Sequence, residues 1–229
     1  MTAAGDTVTL PFSEQQFLDV FGDYNSRMWP IVVLLWIATL GLGAQLVRGR
    51  VTSAALSLLL TFHWAWSGLV YHALFFSAVN PGAWLFALLF AVESAIFLRL
   101  AVTRRIEYVW GHGAQHKIAA VLIAYALAYP VLVLASGYDY PRAPLFAVPC
   151  PTTLFTCGVL LTAVPRVPVV ASVVPVAWSV IAGSAAIVLG VTPDAMVFIA
   201  GAAVVMAAIA RRPGPSTSVL MTTSGAKRP

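Results

Sequence analysis

The chain has 229 residues, of which 60% are hydrophobic and 9% charged. A soluble domain carries roughly 25% charged residues, so there is too little charge here to cover a water-facing surface, and the solvent of most of this chain is lipid. The net charge of +5 is scattered at the ends of apolar runs, which excludes a nucleic-acid-binding patch, and two cysteines, Cys150 and Cys157, are too few for a disulfide framework.

Residues 1–10 read as a leader, with no basic stretch ahead of an apolar core. Pro11 to Asn25 has the pattern of a short amphipathic helix. Ser13 and Gln16 fit a capping box, and Phe17, Phe21 and Tyr24 share a face. Such a helix lies in the membrane interface or packs on the end of a bundle, and the pattern allows either. The interfacial placement makes residues 1–27 an extracytoplasmic segment of leader and helix.

Seven apolar runs follow, within a transmembrane domain over 28–211. Span one is Met28 to Val47, span two Val51 to Phe76, span three Ala83 to Val102 and span four Ile118 to Ala135. Span five is Thr152 to Val164, span six Val167 to Gly190 and span seven Asp194 to Ala210. The pattern predicts an all-α, polytopic bundle of about seven transmembrane helices plus the N-terminal interfacial helix. Span five, at 13 residues, is too short for a hydrocarbon core of ~30 Å unless its flanks extend it. Residues 212–229, rich in Pro, Ser, Thr and Gly, read as a disordered tail.

Charge sets the expected orientation. With seven crossings, one side carries Arg48, Arg50, Arg99, Arg104, Arg105, Lys117, Arg166, Arg211, Arg212, Lys227 and Arg228, and the other Arg27 and Arg142, a split of 11 to 2. The positive-inside rule puts the first side in the cytoplasm, with the N-terminus outside and the C-terminus inside. If span five did not cross, the split would fall to 7 to 6.

Three stretches resemble a known family. They are Pro11-Phe12 with Gln16-Phe17-Leu18 and Tyr24-Asn25; Gly68 to His72 leading to Asn80-Pro81 and Trp84-Leu85-Phe86; and Pro149-Cys150-Pro151-Thr152-Thr153 with Phe155-Thr156. Together they resemble a bacterial family of multi-helix membrane proteins known only as a domain of unknown function, from about residue 11 to 210. The resemblance implies the architecture and a bacterial plasma (inner) membrane location, and it names no chemistry.

Ionisable groups inside a bilayer cost ~3 kcal/mol or more, so each needs a reason. His63 and Glu93 fall at similar depth on antiparallel spans, a midplane polar pair for a proton relay, a cation or a structural hydrogen bond. His72 sits at the outer end of span two, half a helical turn out of phase with His63. Cys150 lies between Pro149 and Pro151, a frame that predicts extended backbone at the outer mouth of span five, with Thr152 and Thr153 beside it. Thiolates favour soft metals, so Cys150, Cys157 and His72 are candidate ligands for a soft transition metal. Otherwise the cysteines are small buried hydrophobes. His112 and His116 have helical metal-pair spacing but sit among glycines, as a solvated loop would.

Span seven contains no lysine for a retinal Schiff base, and no GxSxG, Walker or HExxH motif is present. Three readings stay open. The first is a transporter or binder of a small solute or soft metal ion arriving at the extracytoplasmic face. The others are a membrane-embedded enzyme or redox subunit, and a structural partner. The lipid bilayer is the expected environment in each, with a homo-oligomer or membrane complex as the candidate assembly.

Overall fold

A computed structural model describes residues 11–210. The leader over 1–10, Arg211 and the tail over 212–229 lie outside the described residues. Among the described residues the fold is an all-α bundle of seven α-helices. In chain order they are α1 (Glu14–Val47), α2 (Ser53–Trp66), α3 (Ala83–Thr103), α4 (Ala114–Ala135), α5 (Pro149–Leu160), α6 (Val173–Leu189) and α7 (Met196–Ile209). Helix α2 continues as a π-helix over Ser67–Phe75 and a 3-10 turn over Phe76–Ala78. Among the described residues six helical stretches are long and apolar enough to cross a membrane, and α5 is not one of them. The chain is therefore an integral membrane protein.

The interfacial helix expected over Pro11–Asn25 is not separate. Ser13 caps it as the sequence predicts, the Gln16 amide donating to Ser13 Oγ and the Ser13 amide to Gln16 Oε1. It then runs without a break into span one, giving 34 residues in α1. At 1.5 Å per residue that is ~51 Å, well beyond a ~30 Å core. Its first turns stand on the end of the bundle because their apolar and polar faces are used there. Phe21 stacks on Tyr71 at 5.3 Å, and the Trp66 indole N–H donates to Tyr24 Oη at 2.8 Å. The Arg142 guanidinium, 2.9 Å from Asp19, adds an exposed ion pair, of the kind worth under about 1 kcal/mol.

The seventh crossing is composite. Residues 136–148 carry no regular helix, yet Ala143, Phe146, Ala147 and Val148 are buried. Phe146 reaches the His63 ring at 5.6 Å, deep in the bundle. Non-helical backbone survives at membrane depth only where protein groups satisfy it. Here Asn25 Nδ2 donates to the carbonyls of Pro141 (2.6 Å) and Ala143 (2.8 Å), and Tyr24 Oη donates to that of Ala147 (3.0 Å). Asn25→Ala is therefore expected to destabilise the protein by about 1–3 kcal/mol, since it strands one buried and one part-buried acceptor. Thermal unfolding in detergent measures this, and an unchanged midpoint would refute it.

Helix α5 completes the crossing. It begins at Pro149, and its far end joins a two-stranded ladder in which β1 (Glu107–Tyr108) pairs antiparallel with β2 (Ala163–Val164). The Gln115 side chain donates to the Leu161 carbonyl at 2.6 Å. The end of α5 thus lies on the face where α3 ends and α4 begins. The α6–α7 connection lies towards the opposite face, where Tyr138 Oη donates to the Gly190 carbonyl. Among the described residues the chain passes through the bundle seven times, six times as long helices and once as an irregular stretch plus α5.

Candidate functional site

The prolines around Cys150 do not hold an extended strand. Pro149 and Pro151 lie in the first turn of α5, where amide donors have no intrahelical partner and a missing N–H costs nothing. Thr153 Oγ1 donates back to the Pro149 carbonyl at 2.9 Å, and Thr152 Oγ1 meets Ser67 Oγ at 3.2 Å. Both threonines are spent on holding α5 and sit behind the mouth rather than in it. Every α5 residue except Cys150 is buried, and Cys150 is half-buried.

Cys150 faces a cavity of about 500 Å³ between the start of α1, the π-helix, the start of α5 and the second half of α6. Its walls are almost wholly apolar, with Phe86, Tyr71, Phe76 and Trp178 among the rings. His72 lines the same cavity, so the structure brings His72 and Cys150 together. The His72 ring lies 5.1 Å from Trp178 and 4.8 Å from Phe90, and its nitrogens and the Trp178 Nε1 have no hydrogen-bond partner.

The polar floor is one that sequence reasoning missed. Tyr129 Oη donates to Asp194 Oδ1, and the Cys150 thiol lies against the same carboxylate. Asp194 reads in the sequence as the boundary of span seven. In the structure the turn before α7 is sunk, with Tyr125 Oη donating to the Pro193 carbonyl at 2.9 Å. Tyr129 is six residues from the end of α4, ~9 Å below it. The usable signal was an acid at the edge of one apolar run and a tyrosine inside another, where polar and ionisable groups are expensive.

The expected midplane pair is not joined. His63 Nε2 hydrogen-bonds Thr39 Oγ1 at 2.8 Å, across to α1. Both carboxyl oxygens of Glu93 are buried without a partner. Equal depth does not fix which way a side chain points around its helix. Cys157 likewise does not share the cavity with Cys150. It is fully buried near Glu93, and a helix buried on all sides gives two aligned thiols no common site. His116 meets Trp110 edge to face at 6.4 Å. Among the described residues no three His, Cys, Asp or Glu side chains are grouped to hold a metal ion.

Residues 14–217 match a family described as "Family of unknown function (DUF6064)". No curated protein and no solved structure matches the chain.

Proposed function

Since the chain belongs to the DUF6064 family, whose function is unknown, we propose from the site itself that it binds, and moves or presents, a small and mostly apolar solute taken from the extracytoplasmic side. The observation that carries this is the pairing of a cavity with unpaired polar atoms in its wall. Sites for small organic molecules have volumes of ~300–1,000 Å³, apolar linings and a few polar groups that fix orientation. Each buried donor or acceptor left without a partner costs about 1–3 kcal/mol. A ligand bearing a hydroxyl, carbonyl or amine offsets that cost at His72 and Trp178 once either ring turns its buried nitrogen towards the cavity.

The route in is lateral. Ile181, Ser184 and Val188 line the cavity and are also exposed on the outside of the bundle, so a solute dissolved in the adjacent leaflet reaches it directly. The 11-to-2 charge split makes that leaflet the extracytoplasmic one. A soft metal ion is the poorer fit, because Cys150 and His72 supply two ligands where a tetrahedral site takes four.

The test is titration of purified protein with N-phenylnaphthylamine, a neutral probe that fluoresces in apolar surroundings. Wild type is expected to show saturable binding. Ala185→Trp, which fills the cavity from a half-buried position on α6, should weaken it at least tenfold. Equal, unsaturable uptake by both proteins would overturn the reading.

A further inference from the structure

The geometry points to an organic cation as the preferred occupant of this cavity, its charge set over aromatic faces opposite the Asp194 carboxylate; this rests on the cavity being a binding site. The first ground is the charge inventory. The lining contains no arginine and no lysine, and Asp194 is its one acidic residue. Among the described residues the ion pair is Arg142 with Asp19, exposed at the end of the bundle, and no cation reaches Asp194. Two donor groups, the Tyr129 hydroxyl and the Cys150 thiol, face the carboxylate, and it sits in the turn that opens α7. Donors and a helix start complement a carboxylate without neutralising it.

The second ground is the arrangement of rings. Phe86 and Trp178 meet edge to face at 5.2 Å and 77°, and His72 meets Trp178 edge to face at 5.1 Å and 75°. Rings turned against one another present faces from several directions, and cations are drawn to such faces, most strongly to tryptophan and more so where water is excluded.

The third ground is what an anion would find. Helix starts are the usual anion sites, through free amide N–H groups. At the start of α5, Pro149 and Pro151 have no N–H and the Thr152 amide is bonded to the Val148 carbonyl, which leaves the Cys150 amide as the single first-turn donor, too few to hold an anion. Near the start of α7 the Asp194 carboxylate would repel a second negative charge.

The experiment is displacement of N-phenylnaphthylamine by three molecules with one tail and different heads: the octyltrimethylammonium ion, octanol and octyl sulfate. The cation is expected to displace the probe at least tenfold more effectively than the alcohol, and the sulfate least of all. Asp194→Asn keeps an acceptor for Tyr129 and should bring cation and alcohol within threefold of each other. Equal displacement by all three, an order led by the sulfate, or a cation preference unchanged in Asp194→Asn overturns the inference while leaving the cavity reading intact. Failure of the probe itself to bind overturns both. If Asp194→Asn does not fold, the ranking of the three heads on wild type decides.

Discussion

Gly158→Ala is expected to destabilise the bundle by about 1–3 kcal/mol, and Gly158→Leu to prevent it from folding. Helix α5 meets α4 at this glycine. A Cβ there would lie 2.6 Å from Ile123 Cγ1 and 3.2 Å from both the Ala119 carbonyl oxygen and the Ile123 amide nitrogen. Two of the three neighbours are backbone and cannot turn aside. Nor can α5 retreat, because it is packed on every side. Small residues at such crossings are how membrane helices approach closely. Gly41→Ala, where an added Cβ has nothing within 4 Å, is the control. Unfolding midpoints in detergent and the monodispersity of the purified variants report the effect. Ile123→Ala introduced into Gly158→Ala should recover part of the loss, as coupling between touching residues requires. Full tolerance of Gly158→Leu would mean that α5 does not pack as described.

Glu93→Leu is expected to act in the opposite sense, stabilising the protein by about 1–3 kcal/mol. The carboxyl is wholly buried and neither oxygen has a partner. Leucine is of similar size and removes the polar atoms together with their desolvation cost, which is why apolar replacements of buried polar groups are often stabilising. His63 makes the contrast. It is bonded to Thr39, whose hydroxyl also donates to the Leu35 carbonyl, so its replacement would remove a buried hydrogen bond between α1 and α2. The same unfolding measurement checks this, and a marked loss of stability in Glu93→Leu would show that the carboxyl has a partner in the membrane. A group kept against the stability of its own fold fits a role outside stability, in line with the trade-off between activity and stability.

The crossings, the caps and the charge asymmetry were legible because each is local. An apolar run of about 20 residues declares itself, and so does a Ser13–Gln16 box. Helix α5 was only partly legible. A helix enclosed on all sides has no lipid-facing stripe, and the irregular stretch before it depends on Asn25 and Tyr24, more than 100 residues away in sequence. The same limit explains the site. His72 and Cys150 were visible as residue types in unusual settings. Asp194 and Tyr129, on different helices and 65 residues apart, meet only through packing. His63 and Glu93 matched in depth but not in direction, and linear spacing carries no information on direction between two helices.

The winding of Ser67–Phe75 has a mechanical consequence. Each i→i+5 turn takes about one residue more than an α turn, so this stretch holds slack in its thread. Below it, α2 is pinned by His63 to Thr39 and by the Trp64 indole to Thr156 Oγ1 at 3.0 Å. Rewinding a single turn as α would therefore leave the lower half still and swing everything above it by roughly 100°. Tyr71 and His72 ride on that upper part. Their rings would travel from the wall of the cavity towards a neighbouring helix, as a screw converts a small turn of its shaft into a displaced head, with every rung of the backbone ladder still made.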